Sequence, residues 1–202
     1  MDLPAHAADQ LRTIRSLLER ATVYRAISVP GAAVGGIAAL IAAWFTRAGG
    51  ATVWLAVWHS VLLAMAGFNT AILARQSRRE GRPLFTSGFR LAFRGLLPPL
   101  VAGGLLGGFC AVAEALCWSA ALWTLCYGLA LLATQEFAPR SLVWLGRAFF
   151  LAGLAATVLC VFVQDSSCPW SGSAIMATTF GGFHLAYAAA VALAPQRDPA
   201  TP

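Results

Sequence analysis

Apolar residues run through this chain in blocks of about 20, the length a helix needs to cross the hydrocarbon core of a bilayer. Short clusters of Arg, Gly, Pro and acidic residues separate the blocks. They cover residues 27–46, 51–74, 96–115, 117–134, 143–163 and 173–194. Arg47-Ala48-Gly49-Gly50 forms a tight connection between the first two, and a short stretch around Glu114 joins the third to the fourth. The polar run 164–172, with Pro169 and Gly172, separates the last two. The pattern predicts an all-α polytopic membrane protein, with six transmembrane helices arranged as three hairpins. Residues 27–194 form the bundle, 1–26 a cytoplasmic interfacial segment, and 195–202 a short cytoplasmic tail.

Two segments outside the blocks carry helical periodicity. Leu11, Ile14, Leu17, Leu18 and Ala21 recur at three- and four-residue steps, with Arg12, Arg15 and Arg20 between them. This predicts an amphipathic helix on the inner leaflet, its arginines toward anionic phospholipid head groups. The same apolar stripe also fits a short self-association helix. The loop 75–95 adds Phe85, Phe89 and Phe93 at four-residue spacing, with Arg78, Arg79, Arg82, Arg90 and Arg94 as head-group contacts. Its alternative is a loop that only sets topology.

Composition sharpens the class. Of 202 residues, 59% are hydrophobic and 11% charged, against about 45–50% and about 25% in soluble domains. So few charges leave a soluble surface uncovered, and so much apolar surface excludes disorder. The net charge is +6, and every basic residue is an arginine. In a soluble protein that excess points to nucleic acid; here the distribution of the arginines accounts for it. All but Arg47 fall on one side of the predicted membrane, which by the positive-inside rule places both termini in the cytoplasm. That answer demands an even number of spans. Trp44, Trp54, Trp118 and Trp170 fall near the opposite helix ends, where an interfacial aromatic belt belongs. The N-terminal segment carries four arginines ahead of a long apolar run, so it is expected to stay on the chain rather than be cleaved as a signal peptide.

An internal repeat is suggested by three exits that end alike. Leu73-Ala74-Arg75-Gln76, Leu132-Ala133-Thr134-Gln135 and Leu193-Ala194-Pro195-Gln196 are spaced by 59 and 61 residues. Gly35-Gly36 and Gly103-Gly104 each follow a proline. Three hairpins of one type, entering and leaving from the cytoplasm, fit this pattern. Parallel repeats about the membrane normal are one plan used by transporters.

Ionisable residues at membrane depth are costly and mark function by default. His59 and His184 lie inside predicted spans. One reading makes them axial ligands of a b-type haem, with Gly181-Gly182 giving room for the macrocycle. The others are interhelical hydrogen bonds, or a site for a proton or a substrate. Asn69, Thr70, Thr178 and Thr179 are candidates to line a polar cavity with the histidines. Gly103-Gly104 and Gly107-Gly108 make two GxxxG pairs, a signature of close helix packing. The cysteines show no metal-binding spacing; Cys168 is a candidate for a disulfide with Cys117 or Cys160, free thiols being the alternative. No catalytic triad, paired-acid site or phosphate loop is present in the sequence.

The stretch LRTIRSLLERATVYRAIS, residues 11–28, resembles the opening of a group of bacterial integral membrane proteins of about this length. The resemblance implies a bacterial inner membrane and an arginine-bearing first helix followed by apolar spans. It implies no activity. The functional expectation is therefore small-solute transport or sensing, or an accessory role in a larger membrane complex or homo-oligomer. The alternative is a haem-binding or redox module using His59 and His184.

Overall fold

The computed structural model describes residues 29–81, 87–136, 138–162 and 172–194. Among them are six helices and no strand: α1 (Val29–Thr46), α2 (Ala51–Glu80), α3 (Ser87–Val112), α4 (Leu116–Leu132), α5 (Arg140–Phe162) and α6 (Gly172–Leu193). Five are long and apolar enough to cross a membrane; α4 is apolar but has 17 residues. The predicted N-terminal amphipathic helix, with Arg12, Arg15 and Arg20, lies outside the described residues, as do Arg82 and Cys168.

Two helices run further than hydropathy predicts. α2 continues past Ala74 through Arg75–Glu80, because arginine and glutamine are good helix formers and no breaker intervenes. It stops at Gly81, whose left-handed φ of 63° lets its N–H close on the Ser77 and Arg78 carbonyls. Arg78 and Arg79 in the last turn also suit the negative end of the helix dipole. α3 likewise begins at Ser87 rather than 96, so much of the predicted interfacial loop extends the two helices. Between α3 and α4 the chain reverses through Glu114, at φ 60°, with the Ala115 N–H donating to the Cys110 carbonyl.

Small residues set the packing. α4 lies between α3 and α5 and packs closely on both. A Cβ added to Gly128 would overlap the Phe150 backbone, and one on Gly153 the Leu125 backbone, so α4 and α5 touch main chain to main chain. α6 packs along α1, with its first turn against α4 and its later turns against α5. The pairs α1–α2 and α3–α4 pack as sequence neighbours do in hairpins. In the third pair the main partners differ, α4 for α5 and α1 for α6. α2 is the least buried helix and meets α3 only sparingly.

The outer surface is studded with large apolar side chains, among them Ile37, Leu63, Phe109 and Phe162. Such a surface belongs in lipid rather than water. Trp44 fits the expected belt: it is exposed at the end of α1, with the Arg47 guanidinium 3.5 Å from its ring centre. Trp54 does not. It is 0% exposed, set between the tilted rings of Trp58 and Trp123 at 6.0 and 5.1 Å, and so belongs to the core. The helix carries it on the face turned inward, which its place near a helix end does not reveal.

Candidate functional site

One cavity of about 280 Å³ lies among α1, α2, α3, α4 and α6, close to the lower bound of about 300 Å³ for sites that take drug-sized molecules. Its α1 wall is Gly31, Ala32, Gly35 and Ala39, and Gly103 and Gly104 form part of its α3 wall. Helices lined by residues this small leave open volume between them. Along α2 the lining extends from Trp58 to Asn69, a stretch of about 16 Å at the helical rise of 1.5 Å per residue. Aromatic rings close the inner side: Trp58 and Trp123 toward one end, Tyr127 and Phe180 further along.

His59, His184 and Asn69 all line this space. His184 Nδ1 is 2.8 Å from the Phe180 carbonyl, and its Nε2 is 3.0 Å from the Tyr127 hydroxyl. A carbonyl only accepts, so Nδ1 carries the proton. In the neutral ring Nε2 is then an acceptor, and the tyrosine donates to it. His184 also stacks on Phe180 and meets Phe149 edge to face at 5.3 Å, so its ring orientation is fixed on several sides. His59 donates from Nδ1 to the Leu55 carbonyl at 2.8 Å and sets its ring edge-on to Trp123 at 5.3 Å. Its Nε2 lone pair has no hydrogen-bond partner among the described residues.

The wide turn that carries His184 is a π-helical segment, Ala177–Phe183, inserted within α6. Such segments cost hydrogen-bond geometry and recur at functional sites. Here it delivers Phe180 and His184 to the same cavity wall.

The two histidines do not present themselves as a haem pair. As arranged, His184 has one ring nitrogen protonated and the other taken by Tyr127, which leaves no lone pair for iron. Nor does Gly181 leave room for a macrocycle, although Gly182 is exposed. A Cβ at Gly181 would run into Leu40, and one at Gly36 into Leu185 and the Gly181 carbonyl. The glycine serves the crossing of α1 and α6. Among the described residues no group of three or more His, Cys, Asp or Glu side chains could hold a metal ion.

The threonines proposed for a polar cavity do not reach it. Thr70 and Thr178 face outward and return their hydroxyl protons to the Ala66 and Ala174 carbonyls of their own helices. Thr179 is buried, donates to the Ile175 carbonyl, and lies 3.3 Å from the Thr124 hydroxyl. In an apolar medium a hydroxyl gains most from the nearest carbonyl, four residues back. Arg78, Arg79, Arg90 and Arg94 are exposed at the helix ends flanking the 82–86 connection. Cys117 is half-buried and Cys160 buried.

Sequence reading missed Tyr127, Trp58, Trp123 and Phe180. The partners Tyr127 and His184 stand 57 residues apart on different helices, so no local spacing links them. The indole N–H groups of Trp54, Trp58 and Trp123 are buried without a hydrogen-bond partner. Buried donors left unpaired are costly and call for a reason. Comparison of the chain with protein-family models, curated proteins and solved structures finds no match.

Proposed function

We propose that this chain is a six-span membrane protein that binds a small, predominantly apolar molecule inside its helix bundle, as a transporter or sensor rather than a catalyst. The convergence of His59, Asn69 and the Tyr127–His184 pair on one cavity carries this reading. Polar side chains at membrane depth are expensive, and gathering them on one space is a use that repays the cost. No Arg, Asp or Glu among the described residues lines the cavity, so its ligand is neutral or nearly so. Among the described residues no acids line it, and its one hydroxyl–imidazole pair, Tyr127 and His184, ties α4 to α6, which favours binding over chemistry.

The arginine distribution supports both termini in the cytoplasm, and the resemblance of residues 11–28 supports a bacterial inner membrane. In that orientation Arg78, Arg79, Arg90 and Arg94 meet the anionic head groups of the inner leaflet. The test is purification in mild detergent, followed by mass and absorption spectra of the extracted small molecules. A neutral compound enriched over a mock preparation, and depleted in Trp58→Ala, is the expected result. Its absence from both preparations overturns the reading, and a Soret band returns the haem alternative.

A further inference from the structure

Among the described residues, the cavity's exposed lining lies on two helices only. Its exposed lining residues are His59 and Leu62 on α2 and Leu100 and Gly104 on α3; Leu62 is 58% exposed and Leu100 40%. Leu62 is twelfth of the 30 residues of α2, and Leu100 fourteenth of the 26 of α3. The opening is therefore at mid-depth, where α2 and α3 meet only sparingly. Pro98 and Pro99 lie inside α3 just before it. Lacking N–H groups, they leave the carbonyls four residues back without helical partners, so α3 yields most readily at this level. A Cβ at Gly104 would meet nothing within 4 Å, and the neighbour Gly35 would meet on α2 is the flexible end of Met65.

We infer that the cavity is loaded sideways from the bilayer through the α2–α3 gap, and that its ligand is a lipid-soluble alcohol or phenol. The inference rests on the binding role proposed above and adds route and chemical class. An opening halfway along two membrane helices faces hydrocarbon, so only molecules dissolved there reach it. The class follows from the hydrogen-bonding atoms. His59 Nε2 is an unpaired acceptor, and the Tyr127 oxygen, having donated its proton to His184, also accepts. The ligand must then donate. A hydroxyl is the small neutral group that donates one hydrogen bond and stays soluble in hydrocarbon. Ketones and ethers only accept.

The test uses the full chain in lipid nanodiscs carrying a diazirine-bearing analogue of hexadecan-1-ol in the bilayer. On irradiation, cross-links are expected on α2 between His59 and Met65 and on α3 between Leu100 and Gly104. Hexadecan-1-ol should compete about tenfold better than its methyl ether, the worth of one hydrogen bond. Gly104→Leu, which fills open space, should slow labelling severalfold without lowering the melting temperature. Cavity labelling by a short, water-soluble diazirine alcohol, unaffected by Gly104→Leu, overturns the lateral route and leaves the binding role standing. Equal competition by the ether overturns the hydroxyl assignment. If neither probe labels the cavity, the binding role fails with the inference.

Discussion

The Tyr127 hydroxyl donates to Nε2 of His184 across 3.0 Å, joining α4 to α6 beside the cavity. Around this bond Phe149 and Phe180 set their rings on both partners. Tyr127→Phe keeps the ring contacts and strands the Nε2 acceptor. A loss of about 1–2 kcal/mol is expected, the usual cost of an unpaired buried group, read as a lower melting temperature in detergent. His184→Phe in the Tyr127→Phe background should then cost much less than it does alone, because neither partner is left stranded.

Nε2 of His59, in contrast, holds nothing in the fold. His59→Phe retains an edge for Trp123 and removes the acceptor. Ligand retention measured by mass spectrometry should fall by about tenfold, one hydrogen bond's worth. The melting temperature should stay where it is. A matching drop in stability would make His59 a structural residue.

The two GxxxG pairs of α3 are not equivalent. Gly107 is pressed against the Trp123 ring of α4, whereas Gly108 has open space around it. Gly107→Ala should destabilise by about 1–3 kcal/mol, the range for overpacking, and Gly108→Ala should be neutral. Thermal unfolding of the two variants side by side checks this.

Glu114 occupies a left-handed conformation at the α3–α4 reversal. An L-residue pays about 1 kcal/mol there and glycine pays none. Glu114→Gly should therefore raise the melting temperature, and Glu114→Val should lower it.

At the same end of the bundle, Thr46 on α1 and Ser173 on α6 share a hydrogen bond of 2.8 Å. A double-mutant cycle with Thr46→Val and Ser173→Ala should give a coupling of about 0.6 kcal/mol, the average for such bonds within membranes. A coupling near zero would assign both hydroxyls to their own helices.

The amino-acid sequence determined the class of this protein, an all-helical chain of long apolar helices. Length and hydropathy act locally, residue by residue, so blocks such as 29–46 and 140–162 could be read directly. It also marked His59, His184 and Asn69 as polar residues at depth, since their cost in lipid depends on residue type alone. What it could not supply was direction around each helix. Trp54 sits near a helix end as a belt residue would, yet its helix turns it into the core. Thr178 and Thr179 are adjacent in sequence, but one faces outward and the other is buried. Gly103 and Gly104 divide in the same way, the first against Cys126 and the second beside the opening. Packing between helices far apart in the chain decides such rotations. The π-helical turn of α6 adds a further one, bringing His184 to Tyr127. Tertiary structure alone made three scattered polar residues into one site, and gave that site a side door.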